Sequence, residues 1–223
     1  MICVTLTQRT PEEMVKAAAE SNADLVEVRL DYLDEAADLT PLAQIKKPVI
    51  ATCMASWEGG HFKGHDDHRF QILTKALEYS KFITVELRGN PRLRDGLIAA
   101  AKNAKVKVII AHHDFEGTPD LRGVLEILKH EQSLGADIAK VAFTPKSMED
   151  VLTVIDSIPK SRLPIPVIAI SMGELGRISR IAGVLFGGFL TYASPDGSEP
   201  AVVGQMTVSE TRKIMEAIRP RNA

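Results

Sequence analysis

The sequence predicts a (β/α)8 barrel, one α/β domain over residues 1–223. Three observations predict it. Eight β-branched or apolar runs alternate strictly with helical segments at roughly 28 residues per unit, which argues for a parallel sheet with helices outside. The run Asp24–Asp31 puts Val26, Val28 and Leu30 on one face and Glu27, Arg29 and Asp31 on the other. A one-sided sheet would leave that charged face in water, whereas a closed barrel points it into the interior or the mouth. The runner-up is an open doubly wound sheet, but no Gly-x-Gly-x-x-Gly follows the first strand and no Walker-type phosphate loop occurs, so a dinucleotide site there has no support.

In chain order, Ile2–Leu6 reads as the first strand. Thr10 precedes Pro11-Glu12-Glu13, an N-cap followed by proline and acids in the first turn, so a helix should run to about Ser21. Asp24–Asp31 is the second strand and Pro41–Ile45 a short helical turn. Pro48–Met54 is the third strand, followed by a polar, glycine-rich loop and a helix over about Asp66–Tyr79. Phe82–Leu87 is strand four, Pro91–Asn103 is helical, and Val106–His112 is strand five. Thr118-Pro119-Asp120 should open the next helix with proline just inside a cap. Ile138–Phe143 is strand six, and Ser147-Met-Glu-Asp150 has the form of a capping box that starts a helix to about Ile158. Pro166–Ile170 is strand seven, with a helix through Leu185 after it. Phe189–Ala193 is strand eight, and Thr207-Val-Ser-Glu210, again of capping-box form, begins a last helix to about Ile218.

A net charge of -2 with mixed signs gives no electrostatic case for nucleic acid or an anionic membrane as partner. No stretch reaches the ~18 apolar residues of a membrane span, and the start of the chain lacks a basic region followed by a long apolar segment. Cys3 and Cys53 sit in apolar strand-like runs, as buried free thiols would, which favours a reducing compartment. A cytoplasmic protein is expected.

Barrels of this kind gather their chemistry at the carboxyl ends of the strands. The candidates there are Glu27 and Arg29 in strand two, Glu58 after three, His113 after five, Lys140 in six, Arg180 in the helix after seven and Gln205 after eight. Lys140 lies among Ile138, Ala139, Val141 and Ala142. Burial lowers an ammonium pKa, and a partly neutral lysine can attack carbonyl carbon to form a Schiff base. The stretch alone equally allows a lysine that snorkels to water. Neighbours on a strand face opposite ways, so only one of His112 and His113 can face the axis. His61, His65, Asp66, Asp67 and His68 are metal-ligand types, but the two aspartates also suit a helix start, and no metal is expected.

Glu27-Val-Arg-Leu-Asp31, Glu58-Gly-Gly60, His113-Asp-Phe115, Gly135-Ala-Asp-Ile-Ala-Lys140, Ser171-Met-Gly173, Gly176-Arg-Ile-Ser-Arg180 and Gly204-Gln205 follow one another at the expected strands. Together they resemble the type I 3-dehydroquinate dehydratase family of the shikimate pathway. The resemblance implies a (β/α)8 barrel, usually a homodimer, with no metal and no dissociable cofactor. It implies that Lys140 forms an imine with the ketone of 3-dehydroquinate, that His113 is the general acid/base, and that Glu58 orients or tunes His113. Arg180 would hold the substrate carboxylate. Glu27, Arg29 and Gln205 would meet its hydroxyls, and Met172 would line the ring pocket.

Two segments depart from the family pattern. Thr52-Cys53-Met54 stands where the family commonly has Thr-x-Arg, so a cation is missing unless Lys63, Arg88 or another cation substitutes. Ala201-Val-Val-Gly-Gln205 stands where the family usually has Ser-Ala-Pro-Gly-Gln, with Ser198 displaced upstream. Two other readings stay open on the sequence. One is another Schiff-base barrel such as a class I aldolase, with Gly173, Gly176, Gly187 and Gly188 as a phosphate nest. The other is a ligand-binding barrel that has lost catalysis, with Met54 as its sign. Gly59, Gly60 and Gly64 would permit the Glu58–His68 loop to act as a lid.

Overall fold

The computed structural model describes residues 1–34, 37–198, 200 and 202–218. Its strands are β1 (Ile2–Leu6), β2 (Leu25–Arg29), β3 (Val49–Thr52), β4 (Phe82–Glu86), β5 (Lys107–Asp114), β6 (Ile138–Phe143), β7 (Val167–Ser171) and β8 (Thr191–Ala193). All paired neighbours are parallel, in the order β7-β6-β5-β4-β3-β2-β1-β8. The Phe189 N–H, just before β8, donates to the Val167 carbonyl at 2.8 Å, so the ring is nearly closed. The barrel expected from strict βα alternation is therefore the one observed.

The helices are α1 (Pro11–Glu20), α2 (Asp66–Ala76), α3 (Pro91–Asn103), α4 (Leu121–Ser133), α5 (Met148–Ser161), α6 (Ser179–Leu185) and α7 (Val208–Ile218). Their starts follow the sequence signals. Thr10 Oγ1 accepts from the Glu13 N–H at 3.3 Å, with Pro11 in the first turn of α1. Reciprocal capping boxes join Ser147 to Asp150 and Thr207 to Glu210. The α4 start corrects an expectation. Asp120 is the N-cap and accepts from the Gly123 N–H at 2.8 Å, so Pro119 lies outside the helix. An aspartate side chain supplies the acceptor that an N-cap needs, and proline cannot.

Other boundaries moved for visible reasons. β5 runs on to Asp114 because His113 and Asp114 pair with Ala142 and Phe143. α5 continues past Pro159 to Ser161, and the Ser157 and Ser161 hydroxyls donate back to the Val154 and Ile158 carbonyls at 2.7 and 2.9 Å. Between β2 and β3 the described residues make 3-10 turns, Leu30–Tyr32 and Thr40–Gln44.

Strand parity sorts the side chains. Val26, Val28 and Leu30 join the core between sheet and helices, as do Val4, Leu6, Ala51, Ile83 and Val85. The opposite parity fills the barrel. Its lower part is apolar: Cys3, Leu25, Ile50, Phe82, Ile109, Ile138 and Ile168. Burying an aliphatic side chain of this size is worth about 1.5–3 kcal/mol, and each strand contributes to both layers. Two residues up β1 to β4 and β6, polar groups begin: Thr5, Glu27, Thr52, Thr84 and Lys140. Glu27 accepts from Thr5 Oγ1 at 3.1 Å and from Thr52 Oγ1 at 2.9 Å.

The top of β3 is fixed by Arg69 of α2, which is wholly buried. Its Nη1 donates to both Glu86 oxygens at 2.8 and 2.7 Å and to the Cys53 carbonyl at 2.9 Å. Glu86 Oε1 also accepts from the Ala55 N–H at 3.2 Å. This knot sets the path of the chain into the loop that carries Glu58.

α4 carries a wholly buried carboxyl, Glu131, neither oxygen of which has a hydrogen-bond partner among the described residues. Burial pushes its pKa well up, although the backbone and charge of Lys140 act to lower it. An unfolded-state glutamate ionises near about pH 4.3, so above that value folding takes up a proton and stability falls as pH rises. Glu131→Gln should remove this slope. We expect equal stability near about pH 4 and a gain for the variant that grows by up to about 1.4 kcal/mol per pH unit above it. Urea midpoints measured across pH test this, and parallel curves would rule it out.

Candidate active site

A cavity of about 240 Å³ opens at the carboxyl end of the barrel. Every βα unit except the fourth contributes to its wall. Glu27, Arg29, Glu58, His113, Lys140, Met172, Arg180 and Gln205, the residues singled out from the sequence, all line it.

Lys140 projects from the middle of β6 and is 4% exposed. Its Nζ lies 4.3 Å from the centroid of the Tyr192 ring, a cation-π contact, and makes no ion pair among the described residues. Burial lowers its pKa, while the charge of Glu27 opposes that and the charge of Arg29 adds to it. A snorkelling lysine would keep its ammonium in water. This one does not.

In the β5–β6 register Ala111 pairs with Lys140 and His113 with Ala142. His113 therefore stands on the same face as Lys140, one inward position higher. Its Nδ1 is 2.8 Å from Glu58 Oε2, and the same oxygen accepts its backbone N–H at 2.9 Å. Glu58 is wholly buried in the 3-10 turn Ser56–Glu58. Burial would raise its pKa, but the bonds from His113 and the charges of His113 and Arg88 outweigh it and hold the carboxyl below its usual value. An ionised carboxylate only accepts, so His113 Nδ1 carries the hydrogen and Nε2 is left as the basic nitrogen. Burial lowers the His113 pKa, and nearby Lys140 adds to that against the pull of Glu58. His112 faces the other way, against Phe143 with ring centroids 5.9 Å apart.

Arg180, at the start of α6, is 3% exposed. It has no acidic partner among the described residues, and its buried Nε makes no hydrogen bond. Burial, with Arg177 adding, pulls its pKa down to about 10. Gln205 Oε1 is likewise buried without a partner. Gly204 seats that loop: at φ +82° its backbone packs on the Gly173 carbonyl, which an added Cβ would meet at 2.2 Å. Ala142, Ile170 and Met172 form an apolar wall beside these groups. Among the described residues, a guanidinium without an acidic partner and a free amide acceptor beside an apolar wall suit a small carboxylate with an apolar face.

A family model described as type I 3-dehydroquinase matches residues 2–221. The chain belongs to the type I 3-dehydroquinase family. The 3-dehydroquinate dehydratase of Methanocaldococcus jannaschii is 38% identical over 221 residues, 97% of this chain and 99% of that one. The crystal structure of the 3-dehydroquinate dehydratase of Geobacillus kaustophilus matches at TM-score 0.91 with 25% identity, covering 100% of this chain and 92% of that one. The Clostridium difficile type I enzyme, solved with covalently modified comenic acid, matches at TM-score 0.89 with 26% identity, covering 97% and 91%.

Against the family pattern, Met54 does line the cavity, and neither cation weighed as its substitute does. Lys63 lies in a neighbouring cavity of about 500 Å³ that shares His61 with the first. Arg88 is bound to Glu58 instead, at 3.2 Å. Ser198 is exposed and donates to the Pro195 carbonyl, while Ala201 falls outside the described residues. The histidine-rich loop is dispersed. His61 lies against Tyr32 with the rings tilted by 40°, His68 meets Phe62 edge-on, and Asp66 pairs with Arg69. Among the described residues, no three His, Cys, Asp or Glu side chains gather to hold a metal. Glu58–Phe62 is braced by the N–H groups of Glu58 and Gly60, which donate to the Ala55 carbonyl at 3.0 and 2.9 Å.

Sequence reasoning missed Thr5, Tyr32, His61, Phe115 and Tyr192 as lining residues. Phe115, part of the His113-Asp-Phe115 segment, stacks on His113 with ring planes 15° apart. It also passed over Asp31, whose inward parity was visible. Asp31 accepts from Arg29 Nε and Nη2 at 2.8 and 2.6 Å and from the His61 N–H at 2.9 Å. It thereby aims Arg29 and pins the third loop at once. Burial acts to lower the Arg29 pKa, but Asp31 outweighs it and the pKa is raised.

Breaking this buried pair from the carboxylate side should be costly. Asp31→Ala is expected to lose about 3–5 kcal/mol of stability and to raise KM more than it lowers kcat, measured by urea unfolding and steady-state kinetics. An unchanged KM would mean that Arg29 needs no holding for substrate binding.

Proposed function

We propose that this chain dehydrates 3-dehydroquinate to 3-dehydroshikimate, the third step of the shikimate pathway, through an imine on Lys140. The observation that carries the reading is a buried lysine that shares one cavity with the Glu58-held His113 and with Arg180, neither cation having an acidic partner among the described residues. Family membership supplies the substrate.

Lys140 passes a proton to His113 and attacks the ketone carbon as the free amine; His113 returns that proton to the carbonyl oxygen, which leaves as water and leaves a protonated imine. His113 Nε2 takes a proton from the adjacent carbon, and the electron pair left behind flows into the imine to give an enamine. The enamine returns its electrons and expels the β-hydroxyl, which leaves as water with the proton that His113 gives back. Water then hydrolyses the conjugated imine, releasing the enone and free Lys140. The net change is loss of one water. Arg180 holds the carboxylate as a planar fork, Glu27, Arg29 and Gln205 meet the hydroxyls, and Met172 bounds the ring.

On this reading residues 1–223 work as one catalytic barrel domain, a cytoplasmic homodimer with no metal and no dissociable cofactor. Sedimentation and metal analysis of the purified protein test the dimer and the metal.

The first test mixes the protein with 3-dehydroquinate, follows enone absorbance, then adds borohydride and maps any covalent mass. Enone and an adduct on Lys140 are expected. Lys140→Ala should abolish both while leaving the fold intact, and retained turnover would sink the imine. Binding of a quinate-like ligand without enone would instead favour the barrel that has lost catalysis. Met54→Arg is expected to improve kcat/KM by roughly tenfold or more, because a charge-assisted hydrogen bond is worth about 1.5–3 kcal/mol. A loss would mean that the cavity is built around methionine.

A further inference from the structure

The fourth βα unit reaches the site only indirectly, and its contribution is a cation. Arg88 lies just beyond β4 and outside the cavity wall. Its Nε donates to Glu58 Oε1 at 3.2 Å, and its Nη2 donates to the His113 carbonyl at 3.0 Å. Its guanidinium also sits over the Trp57 ring, 5.8 Å from the centroid. Three contacts therefore hold one side chain across the turn that carries Glu58 and the strand end that carries His113.

A lone surface ion pair would mean little, since exposed pairs are worth at most about 1 kcal/mol. Here the acidic partner is wholly buried and the arginine is only half exposed. The Glu58 carboxylate is shared: Oε2 takes both donors of His113, and Oε1 takes Arg88. We propose that Arg88 is a positioning residue for the Glu58–His113 pair, fixing the rotation of the carboxylate and offsetting part of its charge so that the imidazole stays a ready base.

The proposal rests on His113 being the acid/base group. The charges that act directly on His113 are Glu58 from the third loop, Lys140 from β6 and Glu27 from β2, and Arg88 acts on Glu58. Arg29, His61 and Arg180 line the same cavity, and His112 and Asp114 flank His113 in β5. Arg88 is the one among them that touches Glu58 without facing the cavity. Removing its charge should therefore raise the His113 pKa and leave the contacts to substrate in place.

The test is a histidine NMR titration without substrate, with His113 assigned by its absence in His113→Gln. In Arg88→Gln the His113 midpoint is expected to move up by roughly half a pH unit, the size a half-exposed neighbouring cation can exert. Arg88→Lys, which keeps the charge, should move it back toward the parent. The acid limb of kcat/KM should shift in parallel, with KM nearly unchanged. A parent-like midpoint in Arg88→Gln, or equal shifts in both variants, would overturn the proposal. If Arg88→Gln misfolds, Arg88→Met against Arg88→Lys carries the same comparison. A parent protein without dehydratase activity would overturn the proposed reaction, whereas the titration would still decide whether Arg88 sets the state of His113.

Discussion

Closing a parallel sheet into a barrel sends every second side chain into a space that the helices cannot reach and that water enters from one end. Every other property of this molecule answers to that constraint. At the floor the answer is simple: aliphatic side chains from most strands fill the space. Higher up, the same parity has to carry Glu27, Arg29, His113 and Lys140, and there each charge needs a partner, a pKa shift or a ligand. The structure uses all three answers. Arg29 has Asp31, Lys140 is shifted, and Arg180 keeps donors free.

The division of labour among these charges follows from their supports. Glu58 is anchored by a turn whose path is fixed elsewhere, through Arg69 and Glu86. Lys140 and His113 come from adjacent hydrogen-bonded strands, the most rigid mounting a barrel offers. Their relative height is set by register and not by any side-chain contact. The polar groups of the second strand are held by Thr5, Thr52 and Asp31. The cavity's charged groups are thus carried largely on rigid elements and held by neighbouring side chains.

Much of this was legible in the sequence because it is local. Parity on strand two announced an interior charged face, and Val26, Val28 and Leu30 turned outward as expected. Capping residues marked most helix starts because a cap bonds within three residues. What escaped was long-range. Pro119 looked like a first-turn proline until Asp120 took the cap. The extension of β5 through Asp114 depends on pairing with β6, some thirty residues on. Arg88 read as a spare cation for the substrate, and only the fold shows that Glu58 claims it. Asp31 was visible as a charge but not as a joint between two loops, since His61 lies 30 residues away. Tyr192 faces the axis because it pairs with Cys3, a relation that no local pattern carries.

Arg180 has a consequence beyond the chemistry it serves. A guanidinium withdrawn from water with no acidic partner among the described residues weakens the fold that holds it. A carboxylate that enters the cavity gives that energy back, and it does so only for the folded chain. Binding and folding are thereby linked, with the folded fraction rising as ligand concentration passes its dissociation constant. Resistance to proteolysis and turnover then becomes a property of the metabolite pool as well as of the polypeptide. A protein built this way is most durable when there is something for it to hold.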